Sequence, residues 1–241
     1  MMPAMRLIDL NADLGEGGKD DAALLELVTS ANIACGGHAG DEEMMRLAVG
    51  RALAAGVAIG AHPGYEDPEH FGRRAMVLPL GAVTELVRRQ IEALVEIAAE
   101  AGARLHHVKP HGALYNQAGR DAMLADAVVK AVVAISPELI LYAQPQSALA
   151  AAGRAAGLTV HTEGFADRRY RDDGTLMPRG EPGGVIKDVE SAVAQAVEIA
   201  VKGRVDTICV HGDGVAAAAI LRALRPKLAE VGFTIRDRQP S

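Results

Sequence analysis

The 241-residue sequence predicts an α/β fold, a seven-stranded parallel β/α barrel, on three observations. Seven short aliphatic or β-branched runs recur, each followed by a Gly, Pro or charged loop and then a helical stretch. Strict strand-helix alternation requires helical crossovers, and these produce a parallel sheet. Polar residues also gather at the C-terminal end of nearly every run, which is the active face of a barrel, whereas an open sheet would concentrate them at one switch point. With 49% apolar residues the chain can bury one large core, so residues 1–241 read as a single β/α-barrel domain.

The runs in order are MRLIDLN, SANIAC, GVAIGAH, ARLHHVK, ELILYAQ, LTVHTEG and VDTICVH. The first continues as IDLNADLGEG, in which Asp9, Asn11 and Asp13 alternate with Leu10 and Ala12. Strand side chains alternate between faces, so these three point the same way and are expected to form one wall of a polar pocket at the top of the barrel. His107, Lys109 and His111 share a face by the same parity, as do Cys209, His211 and Asp213. Helices are expected over 41–56, 81–102, 120–135, 146–157, 189–203 and 215–232, most of them ending in a Gly that stops the helix. Between the sixth strand and its helix lies FADRRYRDDGTLMPRGEPGG, long enough to read as a lid or binding loop.

Bulk properties narrow the function. A formal charge of −6 and a pI near 5.8 argue against a general nucleic-acid binder, which needs a basic footprint to neutralise phosphates. No apolar run reaches the length of about 18 residues that spans a bilayer, and the start has no secretory pattern, so a cytoplasmic protein with no membrane partner is expected. Cys35 and Cys209 lie outside any CxxC pattern and read as reduced thiols.

The strand ends supply DLNADLGE, ACGGHAGD, AHPGY, VKPHGALYN, AQP, EGFADRRY and VHGD. A single buried His or Asp is most often a satisfied structural group, and His70 and His106 are read that way. Convergence of several His, one Lys and several acids at the same end of separate strands points instead to a shared site. Two chemistries stay open. Asp13, His38 and His62 have the ligand types to hold a divalent metal that activates water, although no HExxH is present and Pro110 interrupts the His107/His111 pair. Phosphate binding is the other. GEGGKD, with Lys19 followed by Asp20, departs from a phosphate loop, and GDGVAA at 212–217 is a near miss for a dinucleotide turn, although its glycines can bring a helix N-terminus to an anion. Lys109, Arg168 and Arg179 are the candidate phosphate partners.

With these motifs assembled, the sequence resembles the LamB/YcsF family from about Leu7 to the end of the last helix, carrying DLNADLGE, ACGGHAGD, AHPGY, VKPHGALYN, FADRRY, DGTLMPR and VHGD in family order. The resemblance implies a distorted TIM barrel of the glycoside hydrolase/deacetylase type and the role of the A component of an ATP-hydrolysing 5-oxoprolinase. That activity is cleavage of 5-oxo-L-proline to L-glutamate, driven by ATP and carried out with subunits B and C. The His-x3-His helix of related polysaccharide deacetylases is missing, so their zinc site does not carry over.

For such a reaction Asp13 is expected to act as base or metal-linked carboxylate, positioned by Asn11 and Glu16, and Lys109 to face developing negative charge. His111 or His211 would protonate the leaving nitrogen, with Asp167 and Asp213 as orienting partners. Arg168 or Arg179 would bind the substrate carboxylate, while His38, His62, Tyr115 and Asn116 line the same mouth. Two rival readings are a metal-dependent deacetylase or amidohydrolase acting alone, and a non-catalytic subunit that delivers the lactam to its partners.

Overall fold

In the computed structural model, which describes residues 6–18, 20–203 and 205–236, all seven expected strands form and close on themselves. They are β1 (Arg6–Leu14), β2 (Ser30–Ala34), β3 (Ala58–His62), β4 (His107–Val108), β5 (Ile140–Ala143), β6 (Val160–Phe165) and β7 (Thr207–Cys209). Each pairs in parallel with its neighbour, and β1 pairs with both β2 and β7, which shuts the barrel. A short β8 (Phe233–Ile235), too brief to stand out in the sequence, pairs with Arg6–Ile8 of β1.

The two faces of β1 show why these strands read as they do. Ile8, Leu10, Ala12 and Leu14 are buried in the apolar layer that carries the helices, while Asp9, Asn11 and Asp13 are buried on the lumen side. The lumen is filled with polar groups that satisfy one another. Thr29 and Ser30 hydroxyls donate to Asp9 Oδ1 at 2.6 and 2.7 Å, and the Tyr142 and Thr207 hydroxyls donate to Oδ2. Burial raises the Asp9 carboxyl above its usual range, against the pull of these donors. One layer up, Asn11 Nδ2 donates to Thr207 Oγ1 at 2.7 Å, and Asn32 Nδ2 donates to Asn11 Oδ1 at 2.7 Å. His107 Nε2 donates to Asn32 Oδ1 at 2.8 Å, and its ring stacks on Tyr142. Gly60 makes room for that ring, since a Cβ there would collide with His107 Nε2.

The expected wall of three polar residues is therefore corrected. Asp13 alone of the three lines the cavity, whereas Asp9 and Asn11 are structural groups deeper in the lumen. Parity assigns a face, but depth along the strand decides what a residue on that face meets.

The six expected helices also form: α2 (Glu42–Ala55), α3 (Leu80–Glu100), α5 (Ala122–Ile135), α6 (Ala148–Ala155), α7 (Val189–Val201) and α8 (Ala217–Glu230). Asp41, Asp121, Ser147 and Asp188 cap α2, α5, α6 and α7 through side-chain acceptors, and Gly56 stops α2 at φ 66°. Along α3 the buried Val83, Val87, Ile91 and Leu94 recur at helical spacing against the barrel and α5. Two short helices were not expected, α1 (Asp21–Leu25) and α4 (Gly112–Ala118). The second begins immediately after His111 and carries Tyr115 and Asn116 to the barrel mouth. Among the described residues no helix is long and apolar enough to cross a membrane.

Candidate active site at the mouth of the barrel

The C-terminal ends of the strands open into a cavity of about 400 Å³. Its floor is Lys109, which follows β4 and is 2% exposed. The ammonium donates to Asp13 Oδ1 at 2.9 Å, Asn11 Oδ1 at 3.2 Å and Cys209 Sγ at 3.1 Å. Glu163 Oε1 lies 2.9 Å away and pairs with it as a charge, making no hydrogen bond of its own, while Glu163 Oε2 accepts from Tyr115 OH at 2.8 Å. Burial opposes the charge on Lys109, yet Asp13 and Glu163 hold it well above the ordinary lysine range. Burial likewise opposes the Asp13 carboxylate, but His62 and Lys109 hold it well below the usual range. The floor is thus a permanent cation between two carboxylates.

Behind one wall lies a histidine cluster. His62 ends β3, and its Nδ1 donates to the Lys109 carbonyl at 2.7 Å. The Nε2 of His111 donates to the Phe71 carbonyl at 2.9 Å. A carbonyl only accepts, so each bond fixes a tautomer and leaves His62 Nε2 and His111 Nδ1 as the atoms that face each other, 2.9 Å apart. Glu16 Oε1 stands 3.0 Å from His38 Nε2, 3.3 Å from His111 Nδ1 and 3.8 Å from His62 Nε2. The His38 ring stacks flat on His111 at 3.6 Å, clamped by Gly64 and Gly72, where a Cβ would lie 2.8 and 2.6 Å from it. Burial pushes both His38 and His111 below the usual imidazole range, His111 by the wider margin.

On the opposite side His211 follows β7 and donates from Nδ1 to Asp167 Oδ1 at 2.8 Å, which leaves Nε2 directed to the cavity, 4.0 Å from Asp13 Oδ2. Burial opposes the Asp167 charge, but His211 holds its carboxyl below the usual range. The long loop after β6 folds back through bridges Arg168 to Val185 and Tyr170 to Leu176, and it supplies Leu176, Met177, Pro178 and Arg179 to the cavity wall. Arg168 is buried and fastens the loop by donating to the Met177 and Gly184 carbonyls, and burial pushes its guanidinium down to about 10. At the rim, Arg73 and Arg179 both pair with Asp213.

Nine of the sequence-predicted site residues line this cavity: Asp13, His62, Lys109, His111, Tyr115, Asn116, Arg168, Arg179 and His211. Asn11, Glu16, His38, Asp167 and Asp213 stand behind them as bonded partners. The trio expected for a metal divides: His38 and His62 converge with Glu16 and His111, while Asp13 converges with Cys209 and His211. His70 pairs with Asp67 in a loop and His106 lies beside His107, as expected of structural groups. Of GEGGKD, Lys19 lies outside the described residues, and in GDGVAA Gly212 is explained by packing, because a Cβ there would collide with the Asp13 carbonyl oxygen. Sequence reasoning missed Glu163, Arg73 and Arg120. Glu163 had a signal, since it shares parity with His161 and Phe165 in β6, whereas the two arginines reach the mouth from a loop and a helix end with none.

The chain matches the LamB/YcsF family over residues 8–240. Its structure is similar to that of a lactam utilization protein from Thermus thermophilus, with 40% identity, a TM-score of 0.87, and coverage of 96% of this chain and 99% of that one. More distant likenesses show the fold alone. A peptidoglycan N-acetylglucosamine deacetylase catalytic domain from Eubacterium rectale has 10% identity and a TM-score of 0.54, covering 100% and 96%. A polysaccharide deacetylase from Bacillus cereus has 15% identity and a TM-score of 0.53, covering 97% and 92%.

Proposed function

The chain belongs to the LamB/YcsF family, and from that premise we propose that it is the A component of a 5-oxoprolinase. In this reading it opens the ring of 5-oxo-L-proline to L-glutamate with hydrolysis of ATP, together with subunits B and C. The similarity to a lactam utilization protein supports a lactam as substrate. The observation that carries the reading is the His211–Asp167 pair, whose free Nε2 faces a cavity floored by a buried Asp13–Lys109–Glu163 charge triad.

A lactam is a resonance-stabilised amide whose opened form recloses readily, so ring opening needs an activated carbon, a base for water, and an acid for the leaving nitrogen. ATP coupling supplies the activation by placing a phosphoryl group on the lactam oxygen. Asp13 has Oδ1 occupied by Lys109 and Asn32, leaving Oδ2 to accept a hydrogen bond from the attacking water. A carboxyl held this far below its usual range is a weak base, so the water's proton passes to His211 Nε2. Asp167 stabilises the resulting imidazolium, which then protonates the ring nitrogen as the C–N bond breaks, and a second water cleaves the γ-glutamyl phosphate so formed to glutamate and phosphate. The sequence left His111 and His211 equivalent for this task. His211 is the better candidate, because His111 spends Nε2 on the Phe71 carbonyl, turns Nδ1 toward His62 and Glu16, and has its protonation opposed by burial.

Lys109 has acceptors on every side and works from a fixed place, its charge stabilising negative charge that develops above the floor. The substrate carboxylate and the phosphoryl group are both anions, and the rim guanidiniums of Arg73, Arg120 and Arg179 fit them. Reconstitution tests the whole. With subunits B and C, 5-oxo-L-proline and ATP, glutamate and ADP appear together at equal rates, and the chain alone yields neither. Release of glutamate, or of acetate from an acetylated glycan, by the chain alone without ATP would refute it in favour of a lone amidohydrolase. Turnover indifferent to Asp13 and Lys109 substitution would favour a delivery role.

A further inference from the structure

We infer that Glu16, His38, His62 and His111 form a binding site for one divalent transition-metal ion of the zinc class. The inference goes beyond the lactam reading and does not depend on it. Here the Lys109 and Phe71 carbonyls each accept a ring N–H of one histidine, so the two nitrogens they leave over, His62 Nε2 and His111 Nδ1, face each other across 2.9 Å. That arrangement is adverse unless something electropositive lies between them, and fixing a ring by a carbonyl on its far nitrogen is how proteins orient metal-ligating histidines.

The carboxylate of Glu16 faces the same point from a third direction. A tetrahedral ion with bonds of about 2.0–2.1 Å spaces its ligand atoms about 3.3 Å apart. The separations found are 2.9 Å for His62 to His111, 3.3 Å for Glu16 to His111, 3.0 Å for Glu16 to His38 and 3.8 Å for Glu16 to His62. His38 is buried and turns Nε2 to Glu16 at 3.0 Å. Three imidazoles and one carboxylate suit zinc, cobalt or nickel and do not suit magnesium or calcium, which take mostly oxygen. His62 and His111 line the cavity, so a bound ion would act as a Lewis acid at its wall.

The second cluster, Asp13, Cys209 and His211, is set aside as the ion's home, because Lys109 already places a cation 2.9 Å from Asp13 and 3.1 Å from the sulfur.

The test reads metal occupancy, with no substrate or partner present. Protein stripped with chelator is titrated with Co²⁺ and followed by visible absorption, with Zn²⁺ as competitor and bound metal counted by mass spectrometry. One equivalent is expected, with intense tetrahedral cobalt bands, no sulfur-to-cobalt charge-transfer band, and displacement by Zn²⁺. Glu16→Gln and His111→Gln should each weaken binding at least tenfold, while Cys209→Ser leaves it unchanged. Because a ligand variant can fail by unfolding, the wild-type protein must also gain melting temperature with Zn²⁺ and not with Mg²⁺. Absence of stoichiometric metal on the wild-type protein, a charge-transfer band lost in Cys209→Ser, or full affinity in both ligand variants would overturn the inference. Each of these results leaves the ATP-dependent assay as a separate test of the lactam reading.

Discussion

Replacing Lys109 with Met keeps the length of the side chain and deletes the charge, leaving Asp13 and Glu163 as two buried carboxylates with no cation between them. Breaking a buried pair by removing one partner costs about 3–5 kcal/mol, which at a urea slope of about 2 kcal/mol/M lowers the unfolding midpoint by about 2 M at pH 7.5. The pH dependence identifies the cause. In the wild-type protein Asp13 is held below its usual range, so its contribution is fully present above the unfolded value of about 3.9 and is constant across pH 5 to 8. Without the ammonium, two like charges share the site and one carboxyl is raised. A raised group contributes stability below its unfolded value and loses it as pH rises through its folded value. The gap between the variant and the wild-type protein must therefore narrow from pH 8 to pH 5, and a second change, Glu163→Gln, must recover part of the loss at pH 7.5. Urea titrations of the three proteins at four pH values decide the matter. A variant with the wild-type midpoint, or a gap that does not change with pH, would refute the account of the floor.

Other outcomes follow from the same geometry. In the reconstituted assay, His211→Ala should lower kcat about a hundred- to ten-thousand-fold, and Asp167→Asn should lower it while shifting the pH profile, because the amide no longer fixes the imidazole tautomer. Arg179→Ala should raise KM about ten- to a hundredfold with a smaller change in kcat, read from initial rates against 5-oxo-L-proline. In the metal-free protein, burial holds His38, His107 and His111 below the usual range, so the unfolded chain binds more protons between their native values and about 6.5. Stability must then fall as the pH drops below about 6.5, by up to about 1.4 kcal/mol per pH unit for each ring, and a flat urea midpoint from pH 7.5 to 5.5 would contradict it. Gly60→Ala should lower the melting temperature, since crowding His107 costs about 1–3 kcal/mol or more, and an unchanged melting curve would show that the lumen can give way.

Much of this was legible in the sequence because β strands report their faces by parity. The alternation of Asp9, Asn11 and Asp13, and of His107 and Lys109, identified the lumen side of β1 and β4 correctly. What parity cannot carry is depth, and so Asp9, which meets only hydroxyls, read the same as Asp13, which meets the cavity. The roles of His111 and His211 were equally hidden, because they depend on which ring nitrogen a carbonyl or carboxylate has already engaged. Glu16 and His111 were placed in the site but not with the candidate metal ligands, since the sequence does not show that the turn after β1 and the start of α4 bring them to His38 and His62. Arg73 and Arg120 come from outside the strands and follow no period.

The acid deep in the lumen also bears on how the chain reaches its native state. Asp9 leaves the ribosome before its hydroxyl donors, which arrive at positions 29, 30, 142 and 207, the last of them almost 200 residues later. An incomplete ring of strands holds that acid in a closing lumen without its full set of donors. Partial assemblies are therefore penalised, and completion is tied to synthesis of the seventh strand, so a nascent chain halted before Thr207 should be seized by chaperones or proteases instead of resting as a half-built intermediate.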